Sequence, residues 1–168
     1  NLLNTGSVSV HLNNGDGTFA PRSDFLTGTA RPRDLIAADL DGDGDNDLAV
    51  ESRNGGTRTV QVMVNNGTGS LSAFGPALIA NSTGGEGIDA FDMDNDQDID
   101  LIIGEDAAQD GATIFTNNGN ASFAAGNFVN GNGSRTTDVV ARDFNNDGDA
   151  DLGLVGNSNF HLILSNGD

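Results

Sequence analysis

Three stretches of nine residues carry an oxygen-bearing side chain at every second position. The first is Asp39, Asp41, Asp43, Asp45 and Asp47. The second is Asp92, Asp94, Asp96, Asp98 and Asp100. The third is Asp143, Asn145, Asp147, Asp149 and Asp151. Each runs directly into a short apolar segment: Leu48-Ala-Val50, Leu101-Ile-Ile103 and Leu152-Gly-Leu154. The stretches begin 53 and 51 residues apart, which makes them parts of one repeating unit.

Oxygen ligands in this density suit a hard cation. Ca²⁺ takes about six to eight oxygens with loose geometry. Side chains at positions 1, 3 and 5 can wrap one ion, and the carbonyl of position 7 with the carboxylate of position 9 can close its shell. In the first loop these are Asp39, Asp41, Asp43, the carbonyl of Asp45, and Asp47. Gly44 at position 6 permits the sharp bend, and Gly148 does the same in the third loop. Gln97 takes that place in the second and strains the turn. Asn145, a neutral ligand, weakens the third. Without a cation the loops are costly, since two carboxylates about 4 Å apart repel by roughly 4 kcal/mol at an effective dielectric of 20.

The chemistry excludes several alternatives. Zinc is disfavoured, because Cys is absent and His11 and His161 lie outside the loops. Mg²⁺ competes poorly for a cage of many protein oxygens. The loops are not EF-hands, since position 12 is Val50, Ile103 or Leu154 instead of a bidentate Glu.

These loops must be held by strands. Leu35–Ala38, Ile88–Phe91 and Val139–Arg142 precede them and the apolar runs follow. A second motif repeats out of phase, an alternating strand ending in Asn-Gly, at Val8–Gly15, Val60–Gly67, Ala112–Gly119 and Phe160–Gly167. Its turn glycines are 52, 52 and 48 residues apart. The pattern predicts tight hairpin turns, with a further strand opening at Phe19, Leu71 and Phe123 and continuing to Phe25, Leu78 and Phe128. The expected fold is all-β, built of propeller blades of four antiparallel strands. No stretch has sustained helical periodicity, and 24 Gly argue against long helices. The expected units are a partial blade at about residues 1–29, two full blades at 33–81 and 86–132, and one lacking its last strand at 137–168, about three blades within a single repeat domain. A closed propeller needs more blades, so the chain is expected to be completed by the rest of a longer propeller or by self-association. It opens at Asn1 without Met and is read as a processed or excised piece.

Composition narrows the partners. The chain has 168 residues and a formal charge of −18, and the three loops hold 14 of its 25 acidic residues. About three Ca²⁺ would remove six of those charges. Nucleic acid is not an expected partner, because the seven basic residues, all Arg, form no basic run. No signal peptide, lipidation motif or transmembrane run is visible, so no membrane insertion is expected. Extracellular Ca²⁺ would fill weak sites that cytosolic levels leave empty, so a secreted or cell-surface setting is expected. Sequons occur at Asn66, Asn81, Asn120 and Asn132.

Asp-x-Asp-x-Asp-Gly-x-x-Asp followed by Leu and small apolar residues, in a unit of this length, resembles the FG-GAP/VCBS-like repeats. Leu12-Asn-Asn-Gly15-Asp-Gly-Thr-Phe19 is similar to the VCBS-like group. Phe74-Gly75-Pro76 is the nearest trace of the Phe-Gly signature, which favours the microbial members over the integrin-α type. The resemblance implies calcium-binding blades in which each loop joins the first strand to the second, and it implies metal ligation by the fifteen residues above.

Three functions follow as expectations: a calcium-stabilised scaffold for binding or adhesion to a protein or glycan ligand, a propeller lectin, or a non-catalytic part of a secreted enzyme. Trp and Tyr, the usual sugar platforms, are absent. The chain itself is not expected to be an enzyme. His11 and His161 align with positions of opposite parity and so face opposite sides of their strands. Glu51, Glu86 and Glu105 beside the loops are read as solvated.

Overall fold

The computed structural model describes residues 5–54, 56–80, 84–106, 111–131 and 135–166. The sequons at Asn81 and Asn132 and the turn glycine Gly167 lie outside them. The described residues form thirteen strands: β1 (Ser7–Val10), β2 (Ser23–Leu26), β3 (Pro32–Ala38), β4 (Asp47–Asn54), β5 (Thr57–Asn65), β6 (Leu71–Ile79), β7 (Ile88–Phe91), β8 (Asp100–Glu105), β9 (Gly111–Phe115), β10 (Asn127–Asn130), β11 (Thr136–Arg142), β12 (Asp151–Gly156) and β13 (Phe160–Ile163). Among them no helix is long and apolar enough to cross a membrane.

The strands make four antiparallel sheets, ordered β1-β2, β3-β4-β5-β6, β7-β8-β9-β10 and β11-β12-β13. Each four-stranded sheet is a meander, every strand pairing with the next in sequence. The sheets stack on their faces, and three apolar clusters lie between successive sheets. Alternation along a strand therefore sends neighbouring side chains into different clusters. Leu101 and Ile103 of β8 join the cluster shared with the second sheet, while Ile102 joins the one shared with the fourth. Ala49 and Val50 of β4 divide in the same way. The second strands β4 and β8 read as continuous apolar runs because both their faces are covered, while Leu152 and Leu154 of β12 both face the third sheet.

Two expectations about the fourth strands need correction. The Asn-Gly turns are wider than two residues. Asn13 bridges to Phe19 and Asn117 to Phe123, each enclosing a loop closed by Asn14 N–H to Thr18 O at 3.0 Å or Asn118 N–H to Ser122 O at 2.9 Å. Asn66 N–H to Ser70 O closes the second loop at 3.2 Å. Side chains of the turn cap its own amides, as when Asn13 Oδ1 accepts from Gly15 N–H at 2.8 Å, and this stabilises the longer loop. Phe19 and Phe123 consequently make isolated bridges, and β2 and β10 start four residues later, at Ser23 and Asn127. Pro21 lies in the first gap and cannot donate to a ladder. In β6 the strand is continuous but bulged where Gly75 and Pro76 occur, and Gln61 Nε2 fills the bulge by donating to Phe74 O at 3.0 Å.

Glu51 and Glu105 are also not solvated. Both are buried, and between them lies Arg58 of β5, wholly inaccessible to solvent. Arg58 Nε donates to Glu51 Oε1 at 2.9 Å, and Nη1 lies 3.9 Å from Glu105 Oε2 while donating to the carbonyls of Gly84 and Gly104. Thr113 Oγ1 donates to Glu105 Oε1 at 2.6 Å. The cluster joins the second sheet to the third. Only Glu86 of the three glutamates is exposed.

Candidate metal centre

Each acidic loop joins the first and second strands of its sheet and folds on its own carboxylates. Asp39 Oδ1 accepts from Gly42 N–H at 2.9 Å and its Oδ2 from Gly44 N–H at 3.0 Å. Asp92 accepts from Asp96 and Gln97 N–H at 3.1 and 2.9 Å. Asp143 accepts from Asn146 and Gly148 N–H at 2.6 and 3.0 Å. The position 5 carboxylates Asp43, Asp96 and Asp147 accept from the position 7 amides of Asp45, Asp98 and Asp149 at 2.9, 2.9 and 3.0 Å. In all three loops position 1 accepts the position 6 amide and position 5 the position 7 amide, while the other bond to position 1 comes from position 4 in the first and third loops and from position 5 in the second.

Position 9 is the anchor. Asp47, Asp100 and Asp151 are buried at the start of the second strand. Each accepts two backbone bonds, one from position 2 of its loop and one from the end of the third strand. The donors are Leu40 and Asn65 (3.1 and 2.8 Å) for Asp47, and Met93 and Asn117 (2.8 and 2.7 Å) for Asp100. For Asp151 they are Phe144 and Ser165 (2.9 and 2.8 Å). Sequence reading assigned these residues only to a metal shell and missed this anchoring. The recurrence of Asp at position 9 is its only trace in the sequence.

The structure brings positions 1, 3 and 9 together. One carboxylate oxygen from each of Asp39, Asp41 and Asp47 lies within 4.8 Å of the others, and so do oxygens of Asp92, Asp94 and Asp100. Asp43 and Asp96 fall outside these groups. The side chains of Asp45 and Asp98 turn towards the Asn-Gly loops, where a Cβ on Gly67 or Gly119 would lie 2.5 or 2.6 Å from their Oδ2 atoms. Asp149 instead accepts from Asn95 Nδ2 of the preceding loop at 3.0 Å. In the third loop Asn145 Oδ1 accepts from Asp147 N–H and its Nδ2 donates to Asp147 Oδ2 at 2.7 Å.

The electrostatics follow the geometry. Burial pushes the carboxyls of Asp47 and Asp100 up, their two amide donors oppose this, and the neighbouring charges of Asp41 and Asp43, or Asp94 and Asp96, add to it. Burial and the charge of Asp96 raise Asp94 as well. Asp147 is held down by the Asp149 amide and by Asn145. Two clusters therefore concentrate like charge that a cation would relieve. An all-oxygen donor set with no nitrogen or sulfur fits a hard ion.

Gln97 holds φ at +77°, where the equivalent Gly44 and Gly148 hold +93° and +97°. A side chain there costs about 1–2 kcal/mol, partly offset by the greater unfolded-state entropy of glycine. Gln97→Gly is expected to stabilise the protein by about 0.5–1 kcal/mol in urea denaturation; a loss of stability would mean the Gln97 side chain makes a contact that outweighs its strain.

The histidines are not brought together. His11 follows β1 with Nδ1 3.2 Å from Ala20 O, and His161 on β13 has Nε2 2.7 Å from Asn159 Nδ2.

The sequence profile described as FG-GAP-like repeat matches residues 2–50, 52–103 and 92–154. No curated protein matches the chain. Among solved structures it is similar to an Agrocybe aegerita lectin, described as specifically recognising non-reducing terminal N-acetylglucosamine, with a TM-score of 0.66 and 22% identity. The match covers 96% of this chain and 44% of the lectin chain, so this chain spans less than half that protein's length. The likeness carries the fold, a propeller-like arrangement of antiparallel sheets.

Proposed function

The chain belongs to the FG-GAP-like repeat family, and from that premise we propose that it is a calcium-binding propeller module of an extracellular protein, acting as a non-catalytic scaffold for binding or adhesion. The observation that carries this reading is the convergence of Asp39, Asp41 and Asp47, and of Asp92, Asp94 and Asp100, to within 4.8 Å. In the proposed sites positions 1, 3, 5 and 9 ligate through side chains and position 7 through its carbonyl. The third loop does the same with Asn145, for about three Ca²⁺ in all. Bound calcium would neutralise the crowded carboxylates and fix the connection between the first and second strands.

Thermal unfolding in millimolar CaCl₂ and then in excess EDTA tests this. A site tenfold saturated adds about 1.4 kcal/mol, equivalent to about 3–6 °C for a chain of this size. The midpoint is expected to fall by that amount for each filled site and to recover with Ca²⁺ but not Mg²⁺. An unchanged midpoint would sink the reading. That His11, after β1, and His161, on β13, are not brought together supports the non-catalytic reading. The fourth sheet exposes Phe160 and Leu162 on β13 and Leu164 directly after it. That apolar strand supports completion by further sheets or by self-association.

A second reading, a glycan-binding module, is favoured by a cavity of about 290 Å³ between the third and fourth sheets. Asp94, Thr116, Asn127 and Ser165 supply polar groups to it, and Ile114 and Leu152 supply an apolar wall. Calorimetric titration with N-acetylglucosamine and a glycan array would show binding lost on Asn127→Ala; no binding to any glycan removes this reading.

A further inference from the structure

The first two acidic loops are joined by a short hydrogen-bonded path. Leu40, at position 2 of the first loop, donates its N–H to Asp47 Oδ2 at 3.1 Å. Its carbonyl accepts from Asn117 Nδ2 at 2.8 Å and from Ala121 N–H at 2.7 Å, both in the turn of the next sheet. The backbone N–H of that same Asn117 donates to Asp100 Oδ1 at 2.7 Å. The anchoring carboxylate of one loop is therefore connected to that of the next through two residues. Both are buried, Leu40 at 1% and Asn117 at 4% exposure, so water does not compete for these bonds.

Asn117 does more than its counterpart in the preceding sheet requires. Asn65 donates its N–H to Asp47 and its Nδ2 to Asn46 O at 3.0 Å, both within its own sheet. Asn117 repeats both bonds, to Asp100 and to Ile99 O at 3.0 Å, and adds the bond to Leu40. Packing follows the same line, since Leu40 and Ala121 share one apolar cluster.

We propose that Asn117 couples the first and second loops, so that a cation bound in one raises the affinity of the other. This rests on the reading of both loops as calcium sites. An ion drawing Asp39, Asp41 and Asp47 together fixes Leu40, and Leu40 in turn fixes Asn117 and the amide that orients Asp100. The second ion then enters a loop whose ordering cost has already been met in part. Asn117 is a positioning residue and touches neither ion.

Calcium titration of the metal-stripped chain by amide NMR separates the sites, with Gly44 reporting the first loop and Gln97 the second. Coupling is reciprocal. Asp41→Ala is expected to weaken the second site by the same factor by which Asp94→Ala weakens the first, about fivefold or more. With Asn117→Ala both factors should fall below about twofold while both loops still bind. Asn117→Ser is the second variant, because Ser165 occupies the equivalent place in the fourth sheet with its N–H on Asp151. Lesions that leave the other loop's affinity unchanged, or factors that survive both Asn117 variants, overturn the coupling while leaving the calcium reading intact. Absence of any calcium-dependent shift in the unaltered chain overturns both.

Discussion

Arg58→Met is expected to destabilise the protein by about 3–5 kcal/mol, the cost of removing one partner from a buried ion pair. The substitution keeps much of the side-chain volume and deletes the charge. It leaves the Glu51 and Glu105 carboxylates facing each other across the second and third sheets with no cation between them. The carbonyls of Gly84 and Gly104 lose a donor at the same time. Total stability of an ordinary domain is about 5–15 kcal/mol, so much of the margin would go. Replacing Glu51 and Glu105 with Met as well should recover most of the loss, since apolar substitution of a whole buried charge cluster is often neutral or better. Urea denaturation of the single and triple variants in saturating calcium measures both. A loss of less than about 1 kcal/mol for Arg58→Met would show that the cluster is hydrated and that it does not hold the two sheets together.

Asp100→Ala should be comparably severe, and for two separable reasons. Both carboxylate oxygens accept backbone amides, and orphaning the Met93 and Asn117 N–H groups costs about 1–3 kcal/mol each. The metal-free protein already feels this, so denaturation in EDTA reads the anchoring alone. On the proposed calcium reading a further loss is expected in calcium, because the second loop would lose one of its carboxylate ligands. Asp100→Asn distinguishes anchoring from charge. An amide can offer an oxygen to one donor only, and its NH₂ must then face the other N–H. It should therefore recover no more than half of the loss in EDTA. Full recovery by Asn would mean that the carboxylate serves the metal and not the fold.

The loops were legible in the sequence because their chemistry is local. Nine consecutive residues carry both the donors and the amides they satisfy, and the spacing between copies marks the repeat without reference to any fold. The second strands were legible for a related reason, as apolar runs such as Leu101-Ile-Ile103 mark strands covered on both faces. The wider turns were hidden because Asn-Gly alone suggests the shortest hairpin. Side-chain caps two residues apart, from Asn13 to Gly15 and from Asp16 to Thr18, favour the longer one. β2 and β10 were placed too early for the same cause, with Pro21 adding to it in the first, while β6 begins at Leu71 as expected. Glu51 and Glu105 looked solvated because burial of a charge depends on its partner. Arg58 lies seven residues from Glu51 and forty-seven from Glu105, in strands whose registers the sequence does not reveal.

The sequence by itself determined the all-β repeat, the three acidic loops and the hard-cation chemistry of their donors, because each depends on residues close together along the chain. Only the tertiary structure decided what joins one unit to the next. The Arg58 cluster and the reach of Asn117 to Leu40 across 77 residues depend on how sheets stack, and the anchoring by Asp47, Asp100 and Asp151 depends on how the third strand of each sheet is placed beside the second. Stacking is set by the summed burial of three apolar clusters, a quantity that no local pattern records.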